Sequence, residues 1–270
     1  MNTPKNWLLL RGLAREQRHW GDFPQQMEEA LGDVKVHCLD LAGTGDQWHR
    51  RSPVSIDGIT KDLRSRWDRL RRDIDGPWGI LAVSLGGMVA MHWCATFPSD
   101  FSAAVIMNSS TRDAGGPFER LQTSAIPELL RAMREKDNTR REKIILRFTS
   151  TRTEGLDEVA RRNAALLTEA PMRRSTAVSQ ITAATRFKTP ERIEVPLLFL
   201  ASWGDNMVSP NCSLRLAEYF QAPLMVHPTA GHELGLDAPQ WVIESVHYWV
   251  RSSLYPLSED SLEKAPRKAS

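Results

Sequence analysis

The chain has little with which to hold a metal or cross a membrane. Its three cysteines, Cys38, Cys94 and Cys212, fall in strand-like or helical contexts with no metal-ligand spacing. They read as free thiols in a reducing cytoplasm, and no metal or other cofactor is expected. No apolar run can span a bilayer. Leu197–Ala201 is among the longest, and Trp7–Leu10 is too short for the apolar region of a signal peptide. Internal repeats and low-complexity stretches are missing. So is any charge excess: 35 Lys/Arg against 33 Asp/Glu gives a net charge of +2, which supplies no global field for nucleic acid or a membrane surface. What remains is a 270-residue chain, 41% hydrophobic and 25% charged, as in soluble globular proteins. It is long enough to bury a sizeable core, as one α/β domain or as a core with an insertion.

Short apolar runs alternate with helical periodicity, the pattern of a mainly parallel sheet covered on both faces. Six strands are expected, at Trp7–Arg11, Val34–Leu39, Trp78–Val83, Ala103–Met107, Leu197–Ala201 and Pro223–His227. Ile56, Ile59, Leu63, Trp67, Leu70 and Ile74 recur at helical spacing, and further helices are expected over Leu85–Phe97, Ser209–Tyr219 and Pro239–Leu254. Between Thr111 and Pro190 only helical patterns occur: Phe118–Lys136, which Pro127 would divide, Thr139–Phe148, Leu156–Ala170 and Met172–Phe187. The expected organisation is an α/β core over 1–111 and 191–255, a helical cap over 112–190 above the carboxyl edge of the sheet, and a polar, disordered tail over 256–270. From Arg112 to Val195 there are seventeen Lys/Arg against twelve Asp/Glu, a mild basic excess that a solvated helical surface would also show.

The apolar run Ile80–Val83 ends on Ser84, and Leu85-Gly86-Gly87 opens a helix-like pattern. A serine on so sharp a strand-to-helix turn has its hydroxyl pushed into the open, and small residues at Ala82 and Gly86 let the turn form. An ordinary Gly-containing turn fits the five residues equally well. Serine also needs a base, and the base needs an orienting group. Asp205 lies in the turn after the fifth strand and His232 follows Gly231 in the loop after the sixth. Asp205 alone would pass as a turn or cap residue. Among the other histidines His227 is the main competitor as base. Two N–H groups suit the oxyanion: Leu85 at a helix N-terminus, and Leu13 in the loop after the first strand, where Gly12 lets the backbone turn close to the site. Arg11, Gly12, Trp20, Asn108 and Trp203 are candidate substrate contacts on the same edge, with Ser109 and Met207 beside them. Asn108 would equally cap a turn, the aromatic residues would equally pack the core, and Arg11 would equally pair with a nearby carboxylate. Asp46 and Asp237 read as structural.

Leu8-Leu9-Leu10-Arg11-Gly12-Leu13 through Trp20 resembles the first strand and H-G-x loop of the α/β-hydrolase superfamily. Leu39-Asp40-Leu41-Ala42-Gly43-Thr44-Gly45-Asp46 is similar to its D-x-x-G-x-G loop. The elbow at Ser84, the Asp205 turn and the Gly231-His232 loop stand in that family's order, and the likeness runs from about Trp7 to Val250. It implies an α/β-hydrolase fold with an inserted helical cap. The nearer resemblance is to small cytosolic carboxylesterases, including the pimeloyl-carrier-protein methyl ester esterase type, through the S-L-G-G elbow and a four-helix cap. Three departures stand out: Arg11 replaces the family's usual histidine, Ala82 replaces the first elbow glycine, and the N-terminal antiparallel hairpin is short or missing.

The expected function is hydrolysis of a small-molecule carboxylic ester in the cytoplasm. Ser84 is the nucleophile, His232 the base and Asp205 its orienter. Acyl transfer or lyase chemistry on the same residues, and a non-catalytic protein that keeps the pocket, are the alternatives. A carrier-protein-linked substrate docking on the basic cap, at Arg131, Arg134, Arg140 and Arg141, is a further option. No nucleic-acid partner and no membrane span are expected, and the sequence leaves the oligomeric state open.

Overall fold

The apolar runs become strands because each central one is buried on both faces, the environment of a parallel sheet. The computed structural model describes residues 3–253. In chain order the strands are β1 (Asn6–Leu10), β2 (Lys35–Cys38), β3 (Trp78–Val83), β4 (Ala103–Met107), β5 (Leu197–Ser202) and β6 (Leu224–His227). The helices are α1 (Phe23–Leu31), α2 (Ile56–Leu70), α3 (Leu85–Thr96), α4 (Pro117–Arg120), α5 (Ala125–Arg134), α6 (Asn138–Thr149), α7 (Leu156–Glu169), α8 (Arg174–Arg186), α9 (Pro210–Tyr219), α10 (Leu234–Asp237) and α11 (Pro239–Ser253). The strand order is β2-β1-β3-β4-β5-β6, every pair parallel. The tail expected over 256–270 lies outside the described residues.

Alternation along each strand divides the core into two layers. Leu8, Leu10, Ile80, Ala82, Ile106 and Phe199 lie in the layer formed with α2, α3 and α9. Trp7, Leu9, Leu81, Val83, Val105 and Leu198 face α1 and α11. Burial of this kind stabilises by about 25 cal/mol per Å² of apolar surface. Among the described residues no helix is long and apolar enough to cross a membrane.

Two helical details depart from the sequence expectation. No helix is expected between Trp20 and Val34, yet α1 is there, burying Phe23 and Met27 one turn apart with Pro24 near its start. The helix expected over Phe118–Lys136 is two helices, α4 and α5. The break falls before Pro127, which occupies the first turn of α5, where a missing N–H is tolerated. The chain leaves helical form there because Gln122 turns to the loop after β5: its N–H donates to Met207 O at 2.9 Å and its Nε2 to Asp205 O at 2.5 Å.

Parallel strands deliver their following loops to one edge. That edge carries the Arg11–Leu13 loop after β1, Ser84 after β3, Asn108 after β4, Asp205 after β5 and His232 after β6. Helices α4 to α8 lie between β4 and β5 in sequence and supply Leu129, Ile145, Phe148 and Ile181 to cavities at this edge.

Candidate active site

Ser84 sits at φ 56°, ψ −119°, a region that non-glycine residues rarely occupy. Such a conformation costs on the order of 1–3 kcal/mol and survives where its surroundings over-determine it. Here they do. A Cβ at Gly86 would lie 2.6 Å from Arg11 O and 2.8 Å from Leu10 O, so only glycine lets α3 start against the end of β1. A Cβ at Gly87 would lie 2.8 Å from Ser109 Cβ. Ser109 Oγ in turn donates to Ser84 O at 2.8 Å. Ser84 is half-buried, and its hydroxyl holds no hydrogen bond to another described residue.

Asp205 and His232 meet as a buried pair, His232 Nδ1 to Asp205 Oδ2 at 2.7 Å. Backbone donors fix the carboxylate: the N–H groups of Met207 (2.7 Å) and Val208 (2.9 Å) both donate to Asp205 Oδ1. Oδ2 is thereby left for the histidine. With Nδ1 donating, Nε2 is the acceptor. Burial works against the imidazolium, but Asp205 outweighs it through its charge and hydrogen bond and holds His232 above the ordinary value of 6.5. His232 and Ser84 line one cavity of about 90 Å³.

The His232 loop is held from several sides. Asn108 Nδ2 donates to His232 O (3.0 Å), Gly231 O (3.2 Å) and Ser202 Oγ (3.1 Å). Asp237 accepts from Gly231 N–H at 2.7 Å and from the Ser150 hydroxyl. Glu233 N–H donates to Thr149 O at 2.9 Å, which ties the loop to the end of α6. His227, the alternative base, is otherwise engaged: its Nδ1 accepts from the N–H groups of Ala230 (2.8 Å) and Thr229 (3.2 Å), and its ring meets Trp241 edge-on.

Arg11 is buried, with Nη2 2.5 Å from Glu233 Oε2 and its guanidinium 4.6 Å over the Trp20 ring. Arg15 joins the same group, 2.7 Å from Glu142 Oε2 and 3.8 Å from Glu233 Oε1. Burial would push the Glu233 carboxyl up, yet Arg11 and Arg15 together hold it below the usual carboxylate range. Two cations and two anions thus join the loop after β1, the His232 loop and α6. Ala14 N–H donates to Gln180 Oε1 of α8 at 2.9 Å.

The Leu13 N–H makes no hydrogen bond among the described residues, and Leu85 opens α3, whose first N–H groups have no intrahelical acceptor. Gly12 lies against the Ser84 turn: a Cβ there would be 3.0 Å from Ser84 Cβ. Leu13 and Met207 line the cavities at Ser84. Trp20 does not. It is buried against Phe23, 5.2 Å between ring centroids. Trp203 is 58% exposed and lines neither cavity at Ser84. Asn108 faces the carbonyls of the His232 loop rather than the cavity. Asp46 only donates its N–H to Asp40 Oδ2 at 3.0 Å. Sequence reasoning overlooked Glu233, Arg15, Glu142 and Gln180. Glu233 carried a signal, since a charged Arg11 at the end of a buried strand calls for a carboxylate and Glu233 adjoins the candidate base. The other three carried none.

Several solved structures share this architecture. An esterase from Rhodococcus sp. superposes with TM-score 0.72 at 16% identity, covering 92% of this chain and 91% of its own. For a thermophilic esterase from Thermogutta terrifontis the values are 0.70, 18%, 93% and 91%. A thioesterase of the prodiginine biosynthetic pathway in Streptomyces coelicolor follows at 0.62, 13%, 90% and 85%. At such identities the likeness is one of fold. No curated protein matches the sequence. A family profile, serine aminopeptidase S33, matches residues 8–238, and over that span the chain belongs to this family of α/β hydrolases.

Proposed function

We propose that the protein hydrolyses a carboxylic ester by way of an acyl-enzyme on Ser84. The observation that carries this reading is the buried 2.7 Å contact of His232 with Asp205, at a cavity also lined by a serine in a strained turn. Ser84 Oγ attacks the ester carbonyl while His232 Nε2 takes its proton. The Leu13 and Leu85 N–H groups hold the oxyanion. The tetrahedral intermediate collapses, His232 returns the proton to the departing alcohol, and water, activated by the same nitrogen, releases the acid. Helices α4 to α8 act as the cap that shields this sequence from bulk water.

The family name points to peptides, but the cavity chemistry favours an ester. An aminopeptidase must hold a cationic terminal amine, and a carboxylate suits that task. Among the described residues the one carboxylate lining the cavities at Ser84 is Glu233, already committed to Arg11. The reading is tested by assaying methyl and aryl esters beside aminoacyl amides and by labelling with a fluorophosphonate. Turnover of the amides alone, or no label at Ser84, sinks it.

The base must be neutral to act, so activity rises with pH through the His232 pKa. Because Asp205 holds that pKa above 6.5, the rising limb of kcat/KM is expected to have its midpoint above 6.5. A midpoint below 6.5, or a flat profile, speaks against His232 as base. Asn108→Ala removes the two hydrogen bonds to the Gly231 and His232 carbonyls and a third to Ser202 Oγ of β5, and puts alanine at φ 43°. A fall in kcat of about 10- to 100-fold is expected, since small misplacements of a catalytic group cost that much. An unchanged kcat would show that the loop is placed by its other contacts.

A further inference from the structure

Two chambers meet at Ser84, sharing Leu13, Leu129 and Met207 as walls. One has a volume of about 90 Å³ and is lined by His232. The other is about 540 Å³, is lined by Leu85, and lacks His232. The leaving oxygen must receive its proton from His232, so on the reading proposed above the alcohol lies in the small chamber and the acyl chain in the large one.

The large chamber has apolar walls, including Met88, Leu121 and Ile181. Among the described residues its lining has no aspartate or glutamate and two arginines, Arg112 and Arg120. Arg120 is half-buried. Its Nη2 donates to Ala184 O at 2.6 Å, and two weaker contacts of 3.4 Å reach Thr185 O and Ser110 Oγ. No carboxylate lies within 4 Å of it among the described residues. The nearest carboxylates in sequence are otherwise engaged: Glu119 pairs with Arg215 at 2.7 Å, and Asp113, seven positions earlier, accepts from the Thr189 hydroxyl at 2.6 Å. Withdrawal from water works against the Arg120 charge and lowers its pKa. A half-buried guanidinium whose hydrogen bonds go to neutral carbonyl and hydroxyl oxygens, with Asp113 acting on it only through its charge, gains from an anion that enters the chamber.

The geometry points to an acyl chain whose far end is anionic and pairs with Arg120, that is, to a monoester of a dicarboxylic acid. This inference rests on the proposed ester hydrolysis and goes beyond it. Arg112, exposed at the same chamber, adds a second positive charge. The product would carry a carboxylate at each end.

The test is a discrimination ratio, which is insensitive to overall loss of enzyme. Monomethyl esters of dicarboxylic acids of graded length are compared with methyl esters of the matching monocarboxylic acids. The native protein is expected to favour the half-ester in kcat/KM by about tenfold or more at the best length, the scale of one charge-assisted hydrogen bond. Arg120→Gln should lower the ratio severalfold, leaving only what Arg112 contributes, and Arg120→Glu should turn the preference toward an ω-amino methyl ester. A native ratio near one overturns the inference. So does an unchanged ratio in Arg120→Gln, which would leave Arg120 as a cap for α8. Fluorophosphonate labelling and hydrolysis of both ester classes without discrimination would sink this inference and leave the proposed function standing. If no ester is turned over, calorimetry with suberate decides: binding to the native chain that Arg120→Gln weakens supports the anion site, and no binding overturns it.

Discussion

Ser84→Ala is expected to lower kcat/KM for ester hydrolysis by on the order of 10⁴- to 10⁶-fold with the fold intact, because a nucleophile and its base act as a unit. Alanine keeps the Cβ at φ 56°, so it adds no backbone strain, and the packing of Gly86 on Leu10 and Arg11 carbonyls is untouched. Neither Cys212 nor Ser110 is placed to substitute. The Cys212 thiol is pushed up to about 11 by burial. Ser110, the other serine lining these chambers, has its hydroxyl turned to Arg120. The check pairs steady-state kinetics with circular dichroism and fluorophosphonate labelling. A folded variant within about tenfold of the parent would remove Ser84 from the chemistry.

Glu233→Gln is expected to be the most destabilising single exchange near the site, although Glu233 takes no part in bond making. It leaves the buried Arg11 and Arg15 guanidinium groups with one carboxylate, Glu142, between them. Breaking a buried pair costs roughly 3–5 kcal/mol, and retained hydrogen bonding by glutamine puts this case at the low end. For a chain of this length that lowers Tm by about 6–12 °C. Arg11→Met combined with Glu233→Gln leaves the Arg15–Glu142 pair in balance and should recover much of the loss. A double variant less stable than Glu233→Gln alone would contradict the charge-balance account. The exchange has a kinetic signature too. Glu233 helps hold the His232 pKa up, so its removal should move the rising pH limb to lower pH.

The strands were legible because Leu8–Leu10, Ile80–Val83 and Leu198–Ala201 are unbroken apolar runs with turn residues after them. Their parallel direction follows from the helices between them, whereas the order β2-β1-β3-β4-β5-β6 came only from the structure. The elbow was legible for a steric reason, since Ala82 and Gly86 are small where neighbouring backbone passes close. Helix α1 was hidden because it buries only Phe23 and Met27, too few for a clear period. The chambers were hidden for a different reason. Their walls combine Met88 of α3, Leu129 of α5 and Ile181 of α8, and no local pattern says which faces of three separate helices will meet. Arg120 was likewise silent in sequence, because its significance lies in the carboxylates that are not beside it. Trp20 shows the converse: an aromatic on a site-side loop whose side chain turned to the core.

The contacts of residues 14 and 15 bear on how such a protein changes over generations. Ala14 leans on Gln180 and Arg15 on Glu142, partners 166 and 127 positions downstream. A helical insertion transplanted from a distant cousin would bring its own residues at those places, and without an amide and a carboxylate there the loop after β1 would lose two struts. The insertion is therefore no interchangeable module. Replacing those helices with a relative's is thus expected to need matching changes at residues 14 and 15.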